Sequence, residues 1–262
     1  METTRNKRKL ISLSMIGFEL RTVISSPYTH IFGVGMPIFM AVLIAKISGG
    51  EINDPALARA VASSIFLGIG CLIPLATILM GYAVSNAQEI EKGIPQRMDL
   101  FGITAKETLI NRAISEAIFM LAAFLLYFVV GFVFLDIEAP VFSGIVIYFT
   151  CMIVLGIIFF CLAHALSTLI RKFGATYCVV MLLYFTFMML SGMMGLSYDN
   201  MPNALQHISR MLPTTYINKD FLTVWEGEPY QYGALVQSFL LLAAVSGILL
   251  FISLKKNARR KY

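Results

Sequence analysis

The stretch "EIEKGIPQRMDLFGITAKE", Glu89 to Glu107, stands between two strongly apolar runs of a 262-residue chain. Seven of its nineteen residues are charged: Glu89, Glu91, Lys92, Arg97, Asp99, Lys106 and Glu107. Gly93, Pro95 and Gly102 punctuate it. Elsewhere charge is scarce. Only 13% of the chain is Asp, Glu, Lys or Arg, about half the level of an average soluble domain. On both sides of the segment, apolar runs recur at a length of about twenty residues, which is what an α-helix needs to cross a bilayer.

Six such runs can be placed, near His30–Ile47, Ala60–Ala83, Ala113–Leu135, Phe142–Leu169, Tyr177–Leu196 and Gly233–Leu254. Pro37 and Pro74 lie inside the first two. A proline there kinks its helix and frees a carbonyl that neighbours must satisfy. The prediction is an all-α polytopic membrane protein, a single transmembrane domain over residues 1–262. Lysine and arginine set its orientation. With both termini cytoplasmic, sixteen basic residues fall inside: Arg5, Lys7, Arg8, Lys9 and Arg21; Lys92, Arg97, Lys106 and Arg112; Arg171 and Lys172; Lys255, Lys256, Arg259, Arg260 and Lys261. Four fall outside: Lys46, Arg59, Arg210 and Lys219. The quoted stretch is then cytoplasmic. The net charge of +5 reflects this sidedness, not a nucleic-acid partner. "RNKRKLISLSMIGF" (Arg5–Phe18) imitates a signal peptide, but Glu19 and Arg21 interrupt it, so it is expected to be retained.

Three elements do not span. Over residues 10–27, helical spacing puts Leu10, Leu13, Ile16, Leu20, Val23 and Ile24 on one side, with Ser12, Ser14, Glu19, Arg21 and Thr22 mostly facing away. Ile11, Met15 and Phe18 depart from the pattern. A basic-flanked amphipathic helix of this kind lies in the membrane interface. Residues 84–112 form a cytoplasmic loop of short helical pieces, because Gly93 and Pro95 break any long helix. A sidedness signal needs a few lysines. The interleaved acids and the apolar Ile90, Ile94, Met98, Leu100 and Phe101 suit a docking surface for a cytosolic protein instead. Residues 197–232 carry two short outer helices that cap or dip into the leaflet. One starts at Pro202 behind Asp199 and Asn200 and stops at Pro213; the other runs over Asn218–Trp225, with Trp225 at headgroup level.

Little in the chain carries bond-making chemistry. His30, His164 and His207 are scattered and form neither a metal set nor a triad. Ser191 beside Gly192 has no later histidine as base. Cys71, Cys151, Cys161 and Cys178 sit in apolar runs without metal spacing. There is no G-x-x-x-x-G-K-[ST], so ATP is not bound through a P-loop on this chain. Glu116 follows Arg112 by one helical turn and is read as its pair. No buried proton relay is visible, so transport would need outside energy. The fifth span holds Met181, Met188, Met189, Met193 and Met194 beside Tyr184, Phe185 and Phe187, a flexible lining suited to varied apolar ligands or to ordinary packing. Its small residues Ser191, Gly192 and Gly195 permit close approach of another helix.

In these ordered features the chain resembles the ABC-2 type permease, the membrane subunit of type V ABC exporters. The resemblance is strongest at Glu89, Glu91, Lys92, Gly93, Arg97, Leu100, Gly102, Thr104 and Lys106, departing at Ile94-Pro95, and continues at Pro202, Leu205, Ile208 and "LPTTY" (Leu212–Tyr216). It implies a coupling helix in the cytoplasmic loop and ATPase coupling through Glu19, Arg21, Glu89, Glu91, Lys92, Gly93 and Arg97. It implies two copies of a separate ABC ATPase subunit that carry ATP and Mg, with no cofactor on this chain. A second permease chain would complete a homo- or heterodimer in the cell membrane. Tyr184, Phe187, Met188, Ser191 and Met194 are the candidate substrate pathway, for an amphipathic drug, antibiotic, peptide or lipid-like compound. Two other classes stay open: a membrane-embedded lipid-modifying enzyme and a non-transporting immunity or sensor protein.

Overall fold

The computed structural model describes residues 10–50, 52–194 and 198–259. The expectations placed on Arg5, Lys7, Arg8, Lys9, Gly195, Leu196, Ser197, Arg260 and Lys261, and on the side chains of Asp199 and Arg259, lie outside the described residues. Among the described residues the chain is helical, without strands. Helix α1 covers Leu13–Ile24. The six long apolar helices expected from sequence are all present. They are α2 (Ile31–Gly50), α3 (Pro55–Glu91), α5 (Ala105–Phe134), α6 (Phe142–Ile170), α7 (Phe173–Leu190) and α10 (Gly233–Arg259). Short helices α4 (Ile94–Leu100), α8 (Asn203–Ser209) and α9 (Pro213–Glu226) lie in the connections. The Glu89–Glu107 segment and the 170–173 turn share one end of the bundle with α1, called the basic end below; α8 and α9 lie at the opposite end.

Helix α3 is the centre of the fold, with nearly every residue from Phe66 to Val84 buried and α2, α5, α6, α7 and α9 packed round it. It is 37 residues long, longer than the apolar run predicted. Its last polar turns stay helical because Ser85, Asn86 and Glu89 find partners on neighbouring helices. Pro37 and Pro74 each adjoin a widened π-helical stretch, Ile31–Gly35 before the first and Leu75–Tyr82 after the second. Such widened turns absorb a break in the ordinary ladder. Just before Pro74, the Cys71 N–H bonds Gly68 at 3.1 Å and so leaves the Leu67 carbonyl without its usual donor. The Tyr148 hydroxyl on α6 donates to that carbonyl at 3.0 Å, and Tyr127 on α5 donates to the Phe66 carbonyl at 2.7 Å. Removing the first hydroxyl strands a buried acceptor, so Tyr148→Phe is expected to destabilise by about 1–3 kcal/mol. The thermal midpoint in detergent checks this; an unchanged midpoint would mean that the carbonyl has another donor.

At the opposite end, three expectations are revised. Pro213 starts α9 instead of only ending the helix before it, since a proline in the first turn gives up an N–H that would be unpaired anyway. Pro202 stands just before α8, one position ahead of its first turn. Trp225, expected at headgroup level, is wholly buried among Phe128, Tyr148 and the α6 backbone, and its Nε1 donates to the Glu138 carbonyl at 2.9 Å. The protein interior won over the aromatic-belt preference because the ring has both an apolar nest and a partner for its one donor.

Candidate functional site

At the basic end, local rules shape the Glu89–Glu107 segment. Helix α3 is closed two residues past Glu91 by Gly93, whose φ of 70° is left-handed; a side chain there would be strained, and glycine turns the chain at no such cost. The Arg97 guanidinium donates to the Lys92 carbonyl at 2.9 Å, satisfying one of the freed acceptors. Helix α4 begins at Ile94 with Pro95 in its first turn, so the Ile94-Pro95 pair marks a start. Thr104 and Glu107 then form a reciprocal capping box that opens α5, at 2.8 and 3.3 Å. The Glu91 carboxylate accepts from the Phe173 N–H at 2.6 Å and caps α7. These bonds hold a short helix as a hairpin tip. No residue of α4 is buried, and Leu100 and Phe101 are 87% and 77% exposed. Lys92, Asp99 and Lys106 of the same segment are also exposed.

Behind the tip lies a feature that sequence reading reduced to one ion pair. Arg112, on α5 and 4% exposed, bonds Glu19 on α1 at 2.6 Å, Glu89 on α3 at 2.9 Å and Glu116 one turn along at 3.3 Å. It also donates to the Ser85 hydroxyl, and its guanidinium carbon lies 5.7 Å from the Tyr82 ring centre. Three carboxylates thus surround one buried cation, and Glu116 Oε2 has no hydrogen-bond partner among the described residues. Helix α1 docks on α5 through polar groups. The Ser12 N–H donates to Asn111 Oδ1 at 3.1 Å, Asn111 Nδ2 to the Leu10 carbonyl at 3.1 Å, and the Ser115 hydroxyl to the Ile16 carbonyl at 3.0 Å. Leu13 and Ile24, from its apolar side, are left exposed. A groove of about 930 Å³ runs between α1 and the start of α5, with Leu13, Phe18, Met98 and Ile103 on its walls.

Glu19 is only 2% exposed. Burial raises its carboxyl above the ordinary value of 4.5, and the attraction of Arg112 offsets this only in part. The folded state therefore holds the proton more firmly than the unfolded chain. The Glu19 contribution to stability is greatest below pH 4.5 and declines as pH rises through the raised value. Protection factors of the α1 amides are expected to fall over that range, and Glu19→Gln is expected to flatten the trend. An unchanged slope in the variant would assign the effect to another group.

The other sequence candidates divide by environment. Glu19 and Glu89 turn inward to Arg112, Glu91 caps α7, and Arg21, Lys92 and Arg97 are exposed. Tyr184, Phe187 and Met188 are buried inside the chain, Tyr184 with its hydroxyl 3.8 Å from Met36 Sδ and Phe187 against Phe159. Ser191 is buried at the opposite end, bonded to the Thr214 hydroxyl, while Met194 is exposed. Sequence reading missed Ser85, Asn111 and Ser115, which complete the polar contacts of Arg112 and α1. The one legible sign was the T-x-x-E pattern of Thr104 and Glu107, which fixes where α5 starts and hence which way Asn111 and Arg112 face.

Six long apolar helices, an amphipathic helix docked at their basic end and a charged hairpin between the second and third define a multi-pass helical membrane protein. The family model for the ABC-2 type transporter matches residues 13–225, from the first residue of α1 to Trp225 near the end of α9. The chain belongs to that family, and it is the membrane domain of an ABC transporter. Members generally work with an ATP-binding subunit. A search of curated proteins gives no match.

Proposed function

We propose that this chain is the permease subunit of a type V ABC exporter, with the α4 tip as its coupling helix. It moves an amphipathic drug, antibiotic, peptide or lipid-like compound out of the cell. Two copies of a separate ABC ATPase bind and hydrolyse ATP with Mg, and a second permease chain, identical or homologous, completes the pathway. The basic end faces the cytosol of the cell membrane, as the lysine and arginine bias favours. The observation that carries the reading is the tip itself. It exposes Leu100 and Phe101 on the same hairpin that carries the exposed Lys92, Asp99 and Lys106, and it is joined through α3 and α5 to Arg112. Apolar anchors inside a charged rim are the usual anatomy of a contact that carries binding energy. Motion of the docked ATPase would reach α1, α3 and α5 together, because all three meet at one guanidinium. Glu19 and Glu89 act here by fixing the helices, not by touching the ATPase.

The test is co-purification with the candidate ATPase, using Leu100→Asp with Phe101→Asp. Assembly is expected to weaken by about thirtyfold or more, the loss of a central anchor pair, with permease-stimulated ATP hydrolysis lost in parallel. Full assembly and stimulation in the variant would sink the coupling role. Turnover of a lipid by the purified chain without ATPase would favour an enzyme instead.

A further inference from the structure

At the end of the bundle opposite Arg112, a pocket of about 340 Å³ is bounded by the ends of α2, α3 and α7 and by the side of α9. It is a small volume for a ligand site, enough for a head group and not for a whole large amphiphile. Part of its wall is apolar, from Ile44, Ile65, Ile69 and Met193; Ser48, Ser64, Asn218, Tyr198 and Lys219 supply polar groups. The frame is fixed. Asn218 donates to the Ser191 carbonyl at 2.8 Å and Ser209 to the Leu190 carbonyl at 2.7 Å, tying α9 and the end of α8 to the last turn of α7.

Two further observations say what the pocket suits. Helical hydroxyls in this chain commonly return to their own backbone, as at Ser63, Thr77, Thr150, Ser167 and Thr186. The Ser48 and Ser64 hydroxyls have no such bond, nor any other side-chain hydrogen bond among the described residues, so no described group takes up their donors. Two of the few cations of this end also meet at one ring. The Lys219 ammonium lies 4.4 Å and the Arg210 guanidinium carbon 5.6 Å from the centre of Tyr198. Unspent hydroxyl donors beside cations complement oxygen acceptors that carry negative charge.

We propose that this pocket holds the anionic, oxygen-rich head of an amphiphile. A phosphate or carboxylate lies at Lys219, Ser48 and Ser64 donate to its oxygens, and the tail leaves along Ile65 and Met193. The proposal deepens the exporter reading, and rests on it, only where the amphiphile is taken to be cargo. The head itself could belong to cargo or to a bilayer lipid.

The test uses the full chain in phosphatidylcholine nanodiscs and measures decyl phosphate binding by equilibrium dialysis against empty discs. Saturable binding is expected, weaker by about tenfold in Lys219→Gln, the scale of one lost charge-assisted bond, and weaker again when Ser48→Ala and Ser64→Ala are added. Inorganic phosphate and decyl maltoside, each lacking one half of the ligand, are expected to compete poorly. Unchanged affinity in both variants overturns the site; equal competition by phosphate alone, or by the uncharged maltoside, overturns its amphiphile or anion character. Repeating the titration with phosphatidylglycerol in the discs assigns the source. Competition supports a lipid head, and undiminished binding supports a soluble cargo. ATPase assembly is read on the same preparations, so failure of the exporter reading appears there and not in the isotherm.

Discussion

Arg112→Met is expected to destabilise the protein by about 3–5 kcal/mol, the range for breaking a buried ion pair from one side. Methionine fills a comparable volume, so the loss is electrostatic more than steric. Glu19, Glu89 and Glu116 would be left without their shared cation in a site where Arg112 itself is only 4% exposed. Loss of the guanidinium also removes the donor to the Ser85 hydroxyl and the cation from the Tyr82 ring. The first visible consequence should be release of α1, because Glu19 is one of only a few polar ties that hold it to α5. Limited proteolysis at Arg21 and a lowered thermal midpoint report the two effects. A second set separates charge from packing. Adding Glu19→Gln, Glu89→Gln and Glu116→Gln to Arg112→Met removes the orphaned charges and should restore a large part of the midpoint, as neutral replacements for buried ion networks often do. If Arg112→Met alone leaves both readouts where they were, the cluster is not what joins α1 to the bundle.

The spans were legible because composition alone dictates them: a bilayer demands long apolar helices, and six such runs stand in the chain. What the Arg112 cluster shows is the limit of that reading. Its partners lie 93 and 23 residues away in sequence, and only the i,i+4 pair with Glu116 is local. On α1, helical periodicity separates polar from apolar positions, but Glu19, on the side turned away from the apolar stripe, faces Arg112 on α5. Periodicity tells which residues share a face, not what that face meets. The same holds for Pro213, since a proline after one helix and before another is both a stop and a start; the helical run that follows it decides. The exposed apolar tip at Leu100 and Phe101 was legible because no neighbouring run could cover it. The pocket between α2, α3, α7 and α9 was not, since its walls come from four separate parts of the chain.

Trp225→Ala should be as severe as the loss of Arg112, at about 3–5 kcal/mol for removal of a fully buried aromatic ring. The ring closes the end of the bundle opposite the Arg112 cluster. It packs against Phe128 on α5 and Tyr148 on α6, with centres 6.1 and 6.0 Å away. Its Nε1 holds the Glu138 carbonyl and its own carbonyl accepts from the Val141 N–H at 3.0 Å, so one residue fastens both α9 and the α5–α6 connection. Helix α6 approaches so closely here that a Cβ on Gly144 would lie 2.9 Å from the Trp225 Cα, and the backbone therefore has little room to refill the space. Trp225→Phe keeps most of the apolar contact but strands the Glu138 carbonyl; a smaller loss, about 1–3 kcal/mol, is expected. Trp225 is the sole tryptophan of the chain, so its fluorescence needs no engineering. Buried as it is, it should emit in the blue and resist quenching by brominated lipids, which would quench a ring at the headgroups. Strong quenching in the wild-type protein, together with a mild effect of Trp225→Ala, would return the residue to the membrane surface and remove the anchor of α9.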